Sequence, residues 1–196
     1  MSSPDKRVSV KQATGRSLKL IPPPNFGMVE DGLYRSGQPS ELSFPFLEKL
    51  RLKSIIWLAP EDPNPQLFVP ERGPPTRGSK LTASLPSINF LADQDVKLHH
   101  LGVENAVQYD GAITEEVVLS SLALLLVPAS LPMLIMCNLG RHRTGTVVGV
   151  FRRLQRWNLT SILEEYRRYA GPKVRVLNEQ FIELFDCDLV SVPLPP

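Results

Sequence analysis

Residues 132–157 read PMLIMCNLGRHRTGTVVGVFRRLQRW, and this stretch is the most informative about the fold. An uninterrupted apolar run at 133–136 predicts a buried strand. Apolar residues at helical spacing over 146–157 predict a helix whose arginines lie off the buried face. The loop between them carries one Cys, two Gly, one His and two Arg. A strand, a tight loop and a helix N-terminus together predict an anion site, because backbone N–H groups converge there and the helix dipole favours negative charge.

The side chains of this loop suit one chemistry. A cysteine at a helix N-terminus among cations has a lowered thiol pKa, and the thiolate is the nucleophile, so Cys137 is the candidate nucleophile. Five residues separate it from Arg143, whose guanidinium suits a bidentate clamp on a phosphoryl group. The hydroxyl of Thr144 is a candidate hydrogen-bond donor to the sulfur. Gly140 and Gly145 allow a tight turn and close backbone approach.

This pattern resembles the Cys-x5-Arg-Thr/Ser loop of cysteine-based phosphatases. In that superfamily the cysteine forms a thiophosphoryl intermediate, which water then hydrolyses. The alternative is a buried core cysteine beside a solvated, basic helix start, since free cysteines are often simply buried. The combination of Gly, His and Arg-Thr-Gly between a strand and a helix favours the phosphatase loop.

Composition excludes several other classes of protein. The 196 residues are 42% hydrophobic and 21% charged with a net charge of +2, which indicates one globular domain and gives no sign of nucleic-acid binding. Two cysteines argue for a reducing compartment rather than a disulfide framework. The basic residues 1–20 lack a secretory signal; a disordered tail and a mitochondrial presequence both remain open. The leucine-rich run at 122–127 is too short to span a bilayer.

The chain divides into a flexible arm at 1–21, a single domain at 22–188 and a loose tail at 189–196. Within the domain, residues 60–84 are rich in Pro, Gly and polar residues. Such a segment buries little apolar surface, which predicts a surface insertion.

Strands and helices alternate along the domain, which predicts an α/β fold with a central, mostly parallel sheet flanked by helices and the site at a strand's carboxyl end. The predicted strands cover 25–34 as a hairpin, 54–59, 96–101 and 133–136, with a loop at 35–39. The predicted helices cover 40–50, 85–92, 114–127, 146–157, 161–171 and 178–187. Three of them have candidate N-terminal caps, in Ser40, in Thr114 and in the Ser161–Glu164 capping box.

The resemblance extends well beyond the loop. Similar motifs occur at Asn25-Phe26 with Leu33-Tyr34-Arg35-Ser36, at 52–56 with Pro60-Glu61, at 165–168 with Pro172-Lys173, and at 180–183. Together with the loop at 137–145 they resemble the plant and fungal atypical dual-specificity phosphatases, including the fungal oxidant-induced cell-cycle-arrest group.

This resemblance implies a dual-specificity-phosphatase-like fold, no metal or other cofactor, and a cytoplasmic location. It implies a phosphorylated protein or inositol phosphate as substrate, a link to oxidative stress, and related phosphatase-like subunits as partners. Carried over by position, Cys137 is the nucleophile and Arg143 the clamp. The remaining phosphate-binding positions are Asn138, Leu139, Gly140, Arg141, His142 and Thr144.

Tyrosine phosphatases protonate the leaving phenolate with an acid on a loop upstream of the nucleophile. Asp110 lies 27 residues before Cys137 and is the first candidate; Glu104 is the second. The alternative for each residue is a solvated loop carboxylate with no catalytic role. Lys173 and Arg175 are candidates for extra phosphate contacts at the pocket rim, or else form a solvated, basic helix end.

A tyrosine or dual-specificity phosphatase is therefore the main prediction, and an inositol pyrophosphate phosphatase is the alternative. Residues 102–113 lack the Asn-Lys-Glu-Pro run typical of the latter. A catalytically weak, phosphatase-like binding subunit also remains open, because Met136 stands where many relatives have His. A sulfur-transfer enzyme of rhodanese type is disfavoured by the Arg-Thr-Gly continuation into a helix.

Overall fold

The structure is a computed structural model that describes residues 20–63, 95–102 and 113–190. Several sequence predictions lie outside these ranges. They are most of the arm at 1–21, most of the insertion at 60–84, the helix at 85–92, the candidate acids Glu104 and Asp110, and most of the tail at 189–196.

The described residues form a five-stranded sheet in the order β1-β2-β5-β3-β4. The strands are β1 (Gly27–Glu30), β2 (Leu33–Gly37), β3 (Ser54–Trp57), β4 (Lys97–His100) and β5 (Met133–Cys137). Only the β1–β2 hairpin is antiparallel among these pairs. The predicted, mostly parallel sheet is thus confirmed. Because β5 is central, its carboxyl end lies between those of β2 and β3.

Helices cover both faces of the sheet. They are α1 (Phe44–Leu50), α2 (Glu115–Leu125), α3 (His142–Leu154), α4 (Leu159–Ala170) and α5 (Val176–Leu184). α1 packs on one face with Leu134 and Met136 of the central strand. Helices α2 to α5 pack on the other face, where Ile135 and Cys137 point. Alternation along β5 therefore buries Met136 away from the side on which Cys137 lies.

Two elements around the loop are longer than predicted. β2 continues into the predicted loop at 35–39 as far as Gly37, because Ser36 and Gly37 pair in parallel with Met136 and Cys137. α3 begins at His142, four residues earlier than predicted. The predicted start missed the polar first turn, whose apolar positions begin only later. Residues 35–37 and 142–145, predicted to lie in loops, therefore belong to a strand and to a helix.

Helix starts were the least predictable feature. Ser40 makes no side-chain cap bond. A 3-10 turn at Glu41–Ser43 precedes α1, and Leu42, an apolar residue of the predicted helix, is 69% exposed. The predicted Ser161 capping box is wrong as well. Asn158 caps α4 by accepting from the Thr160 N–H at 2.9 Å. The predicted Thr114 cap is confirmed, accepting from the Val117 N–H at 3.4 Å.

The last helix, predicted at 178–187, begins and ends earlier, so Cys187 lies in a following 3-10 turn, Cys187–Leu189. This last helix, α5, packs on the same hydrophobic core as α2, α3 and α4. Within the described ranges, no helix has the length and apolar character needed to cross a bilayer.

Arg152, predicted to lie off the buried face of α3, is 5% exposed. Its Nε pairs with the Glu165 carboxylate at 3.0 Å, and its Nη2 donates to the Val29 carbonyl at 2.6 Å. The guanidinium also lies over the Trp157 ring. These contacts satisfy the buried charge and tie α3 to α4 and to the N-terminal hairpin, which periodicity alone does not predict.

Candidate active site

Cys137 is the last residue of the central strand β5 and is 5% exposed. Its Sγ accepts a hydrogen bond from the Thr144 hydroxyl at 3.1 Å. Thr144 is fully buried in the first turn of α3. A hydroxyl donating to sulfur favours the charged thiolate over the neutral thiol. The structure thus joins two of the residues singled out in the sequence.

Three consecutive carbonyls of the loop, those of residues 138–140, accept hydrogen bonds from the N-terminal part of the domain. The donors are the Gln38 N–H to Asn138 at 3.1 Å, Asn25 Nδ2 to Leu139 at 2.8 Å, and Arg35 Nη2 to Gly140 at 3.0 Å. In a planar trans peptide the C=O and N–H point in opposite directions. The N–H groups of residues 139–141 are therefore turned away from these donors, an arrangement that suits an anion-binding nest.

Gly140 lets the loop lie directly on β2. Its φ is +65°, and a Cβ there would collide with the backbone of Ser36 and Gly37. From the other side, a Cβ on Gly37 would lie 2.8 Å from the Leu139 carbonyl carbon. Two glycines facing each other thus let two backbones approach more closely than side chains permit.

Arg143 lies in the first turn of α3 and is partly buried. Its Nε is buried and has no hydrogen-bond partner among the residues that the structure describes. This position one turn into the helix, six residues after Cys137, leaves the guanidinium available to an anion held by the loop.

The His142 ring lies 2.6 Å from the Lys173 carbonyl through Nε2. Because a carbonyl only accepts, Nε2 carries the proton. Burial lowers the pKa of His142 below its ordinary value, and the neighbouring cations lower it further; these are Arg175, Arg141 and Arg143. The contact brings the segment after α4 against the loop, which puts Lys173 and Arg175 near the rim.

Two exposed loop residues, Asn138 and Leu139, complete the mouth of the loop. Asn138 Nδ2 donates to the Glu61 carboxylate at 3.4 Å. In the described residues, no three His, Cys, Asp or Glu side chains lie together as a possible metal site.

Sequence reasoning gave no role to Asn25 or Arg35, although both stand in one of the recognised motifs. One signal was present: an arginine in a short strand that is otherwise apolar or small. Their partners lie more than 100 residues away, at 114 and 105 residues, and local pattern does not reveal such contacts.

The model of the tyrosine phosphatase family matches residues 20–70 and 79–194. The chain belongs to this family. It is 59% identical over 172 residues, 87% of this chain and 96% of the relative, to the "Putative tyrosine-protein phosphatase OCA1" of Mycosarcoma maydis. It is 37% identical over 194 residues, 97% of this chain and 86% of the relative, to the inositol diphosphatase DSP4 of Arabidopsis thaliana.

Among solved structures, the core catalytic domain of the PP-IP phosphatase SIW14 from S. cerevisiae superposes with a TM-score of 0.71. The two chains are 38% identical, and the match covers 87% of this chain and 91% of that one. Membership of this family makes the chain a cysteine-dependent phosphatase, and the resemblance to fungal and plant phosphatases is confirmed.

The glycine contact yields a test of the loop. Gly140→Ala forces a methyl group into the backbone of β2 and is expected to lower kcat/KM for an aryl phosphate by about 10²-fold or more, because the N–H nest is displaced. Gly171→Ala is the matched control: Gly171 also has a positive φ, +61°, but a Cβ added there would meet no atom within 4 Å. It should lose about 1 kcal/mol of stability and keep its activity. Equal activity losses in both variants would contradict the close-approach argument.

Proposed function

We propose that the chain hydrolyses phosphate esters in two steps through Cys137. In the first step Sγ attacks phosphorus and the bond from phosphorus to the leaving oxygen breaks. In the second, water attacks phosphorus, the S–P bond breaks, and inorganic phosphate leaves with the thiolate restored. The observation that carries the proposal is the 3.1 Å hydrogen bond from Thr144 to Sγ, made at the buried base of a loop whose carbonyls are held outward.

Each remaining loop residue has a role in this scheme. The Arg143 guanidinium clamps two phosphoryl oxygens, and the N–H groups of residues 139–141 bind the equatorial oxygens as charge develops on them. Thr144 stabilises the sulfur when it departs as thiolate in the second step. Arg141 adds positive charge at the rim, and the neutral His142 ring fixes the rim's boundary through its contact with the Lys173 carbonyl.

A tyrosine-phosphorylated protein is the substrate class that we propose first. Several relatives are named as tyrosine-protein phosphatases. A phenolate leaves readily only when protonated, and we assign that proton to Asp110, with Glu104 as the alternative donor.

The two cysteines of the chain, Cys137 and Cys187, are both unpaired. They support a reducing, cytoplasmic location.

Removal of the nucleophile tests the proposal directly. Cys137→Ser should reduce release of phosphate from an aryl phosphate and from a phosphotyrosine peptide to background, because serine lacks a thiolate. Cys187→Ser is the matched control and should behave as the parent. Hydrolysis that persists in Cys137→Ser would contradict the proposal; loss in both variants would point to a folding defect, which circular dichroism detects.

The choice of general acid is tested by the leaving group. Asp110→Asn should slow hydrolysis of phenyl phosphate, a poor leaving group, by about 10²-fold, and should affect p-nitrophenyl phosphate far less, because nitrophenolate needs no proton. Glu104→Gln is the control and should leave both rates unchanged. If Glu104→Gln slows hydrolysis of phenyl phosphate selectively and Asp110→Asn does not, Glu104 is the acid. If neither variant slows phenyl phosphate selectively, the scheme contains no general acid from these two residues.

An inositol pyrophosphate is the second candidate substrate, and the basic rim favours it. The His142–Lys173 contact places the exposed Lys173 beside the loop, with Arg141 and Arg175 close to the same imidazole. Such a rim suits a ligand with several phosphates. A phosphate leaving group also needs a general acid less than a phenolate does. The relatives named for inositol diphosphate and PP-IP substrates support this candidate.

Neutralising the rim distinguishes the two substrates. Lys173→Gln should raise KM for an inositol pyrophosphate about twofold to fivefold, with an effect that fades at high salt, and should leave KM for a small aryl phosphate unchanged. Lys49→Gln, in the last turn of α1, is the control. Equal KM values for parent and Lys173→Gln with the inositol substrate would contradict a rim subsite. Tight phospholigand binding without turnover of any substrate would support the phosphatase-like binding subunit instead.

A further inference from the structure

Arg35 is a charged residue in the middle of the core. It lies in β2, next to the central strand, and is 0% exposed. Its Nη2 donates to the Gly140 carbonyl at 3.0 Å, and its guanidinium carbon lies 3.6 Å from the centroid of the Tyr169 ring. Its Nε and Nη1 have no hydrogen-bond partner in the described part of the chain. Burying a cation with so few partners is costly, so the position calls for an explanation.

The other buried arginine on this side of the sheet is arranged differently. Arg152 pairs directly with Glu165 and donates to two further oxygens. Arg35 has no such ion pair among the described residues, although Glu165 is close enough to act on it through space. Burial lowers the pKa of Arg35 to about 10, so it stays charged at neutral pH. Its charge is thus left largely uncompensated beneath the loop.

We propose that Arg35 is a positioning residue of the active site: it holds the Gly140 carbonyl outward and supplies the buried positive charge that keeps Cys137 as a thiolate. Two observations carry this. The Nη2 atom would lie 3.6 Å from a Cβ on Gly145, so the guanidinium reaches the first turn of α3 as well as the loop. That first turn also carries Thr144, which donates to the Cys137 sulfur at 3.1 Å. The inference rests on the proposed role of Cys137 as nucleophile.

Met136, the residue before Cys137, is apolar and is buried on the opposite face of the sheet with Trp57. It therefore gives the sulfur no polar support. A fixed cation under the loop provides that support from β2, in addition to Thr144 from α3.

Other charged groups surround this pair and set the baseline for any titration. On α4 they are Glu165, Arg168 and Tyr169; on the loop and α3 they are Arg141, His142 and Arg143; beyond these lie Glu61, Lys173 and Arg175. All of them remain in place in the variants below, so a change in the thiol pKa reports on Arg35.

The test is the pH dependence of alkylation by iodoacetamide in the full chain, read at each cysteine by peptide mass mapping, with and without inorganic phosphate. Arg35→Met should move the pH profile of Cys137 alkylation to higher pH and slow alkylation near neutral pH, since an opposite charge is lost. It should also weaken protection by phosphate. Cys187 is an internal control, and its profile should not move. Alkylation needs no turnover, so failure here is distinguishable from failure of the hydrolysis assays.

Arg152→Met is the matched variant, because it removes a buried arginine that makes no contact with the loop in the described structure. It should lower the melting temperature while shifting the Cys137 profile by less than half as much as Arg35→Met. Arg35→Lys keeps the charge but not the fork geometry. It should keep the parent pH profile of Cys137 alkylation and still lose phosphate protection, so it tests the proposal if Arg35→Met does not fold. Unchanged Cys137 alkylation and unchanged phosphate protection in folded Arg35 variants would overturn the proposal.

Discussion

The pairing of β2 with the central strand β5 is the constraint on which the site depends. Gly37 pairs with Cys137, and the loop that follows Cys137 folds back over the same end of β2 with no room for a side chain at Gly140. This contact turns the loop carbonyls toward donors on the hairpin side and leaves the N–H groups facing inward. The anion site therefore depends on residues from both ends of the domain.

Much of this site could be predicted from the sequence because its chemistry is local. Cys137, Arg143 and Thr144 lie within eight consecutive positions, and a strand before them and a helix after them are strong apolar patterns. The parallel sheet also followed from the alternation of strands and helices. These features need only short-range information, which periodicity and residue type supply.

The remainder depends on contacts between distant parts of the chain. Arg35 becomes intelligible only when β2 lies beside β5, since its partner carbonyl is 105 residues away. Arg152 looked like a solvent-facing helical residue until Glu165 and the Val29 carbonyl satisfied it. Ser40 and Ser161 each had the residue type of a helix cap, but the Ser40 side chain makes no cap bond before its 3-10 turn, and α4 begins after Asn158 instead. Tertiary packing overrode local preference at each of these positions.

The central claim is that Cys137 accepts the phosphoryl group. Rapid acid quench of the enzyme during turnover of an aryl phosphate, followed by mass spectrometry of the proteolytic peptides, tests it most directly. The account predicts one phosphoryl group on the Cys137 sulfur, formed before steady state and absent when substrate is omitted. Turnover with a phosphoryl group on another residue, or with none on Cys137 at any quench time, would contradict it.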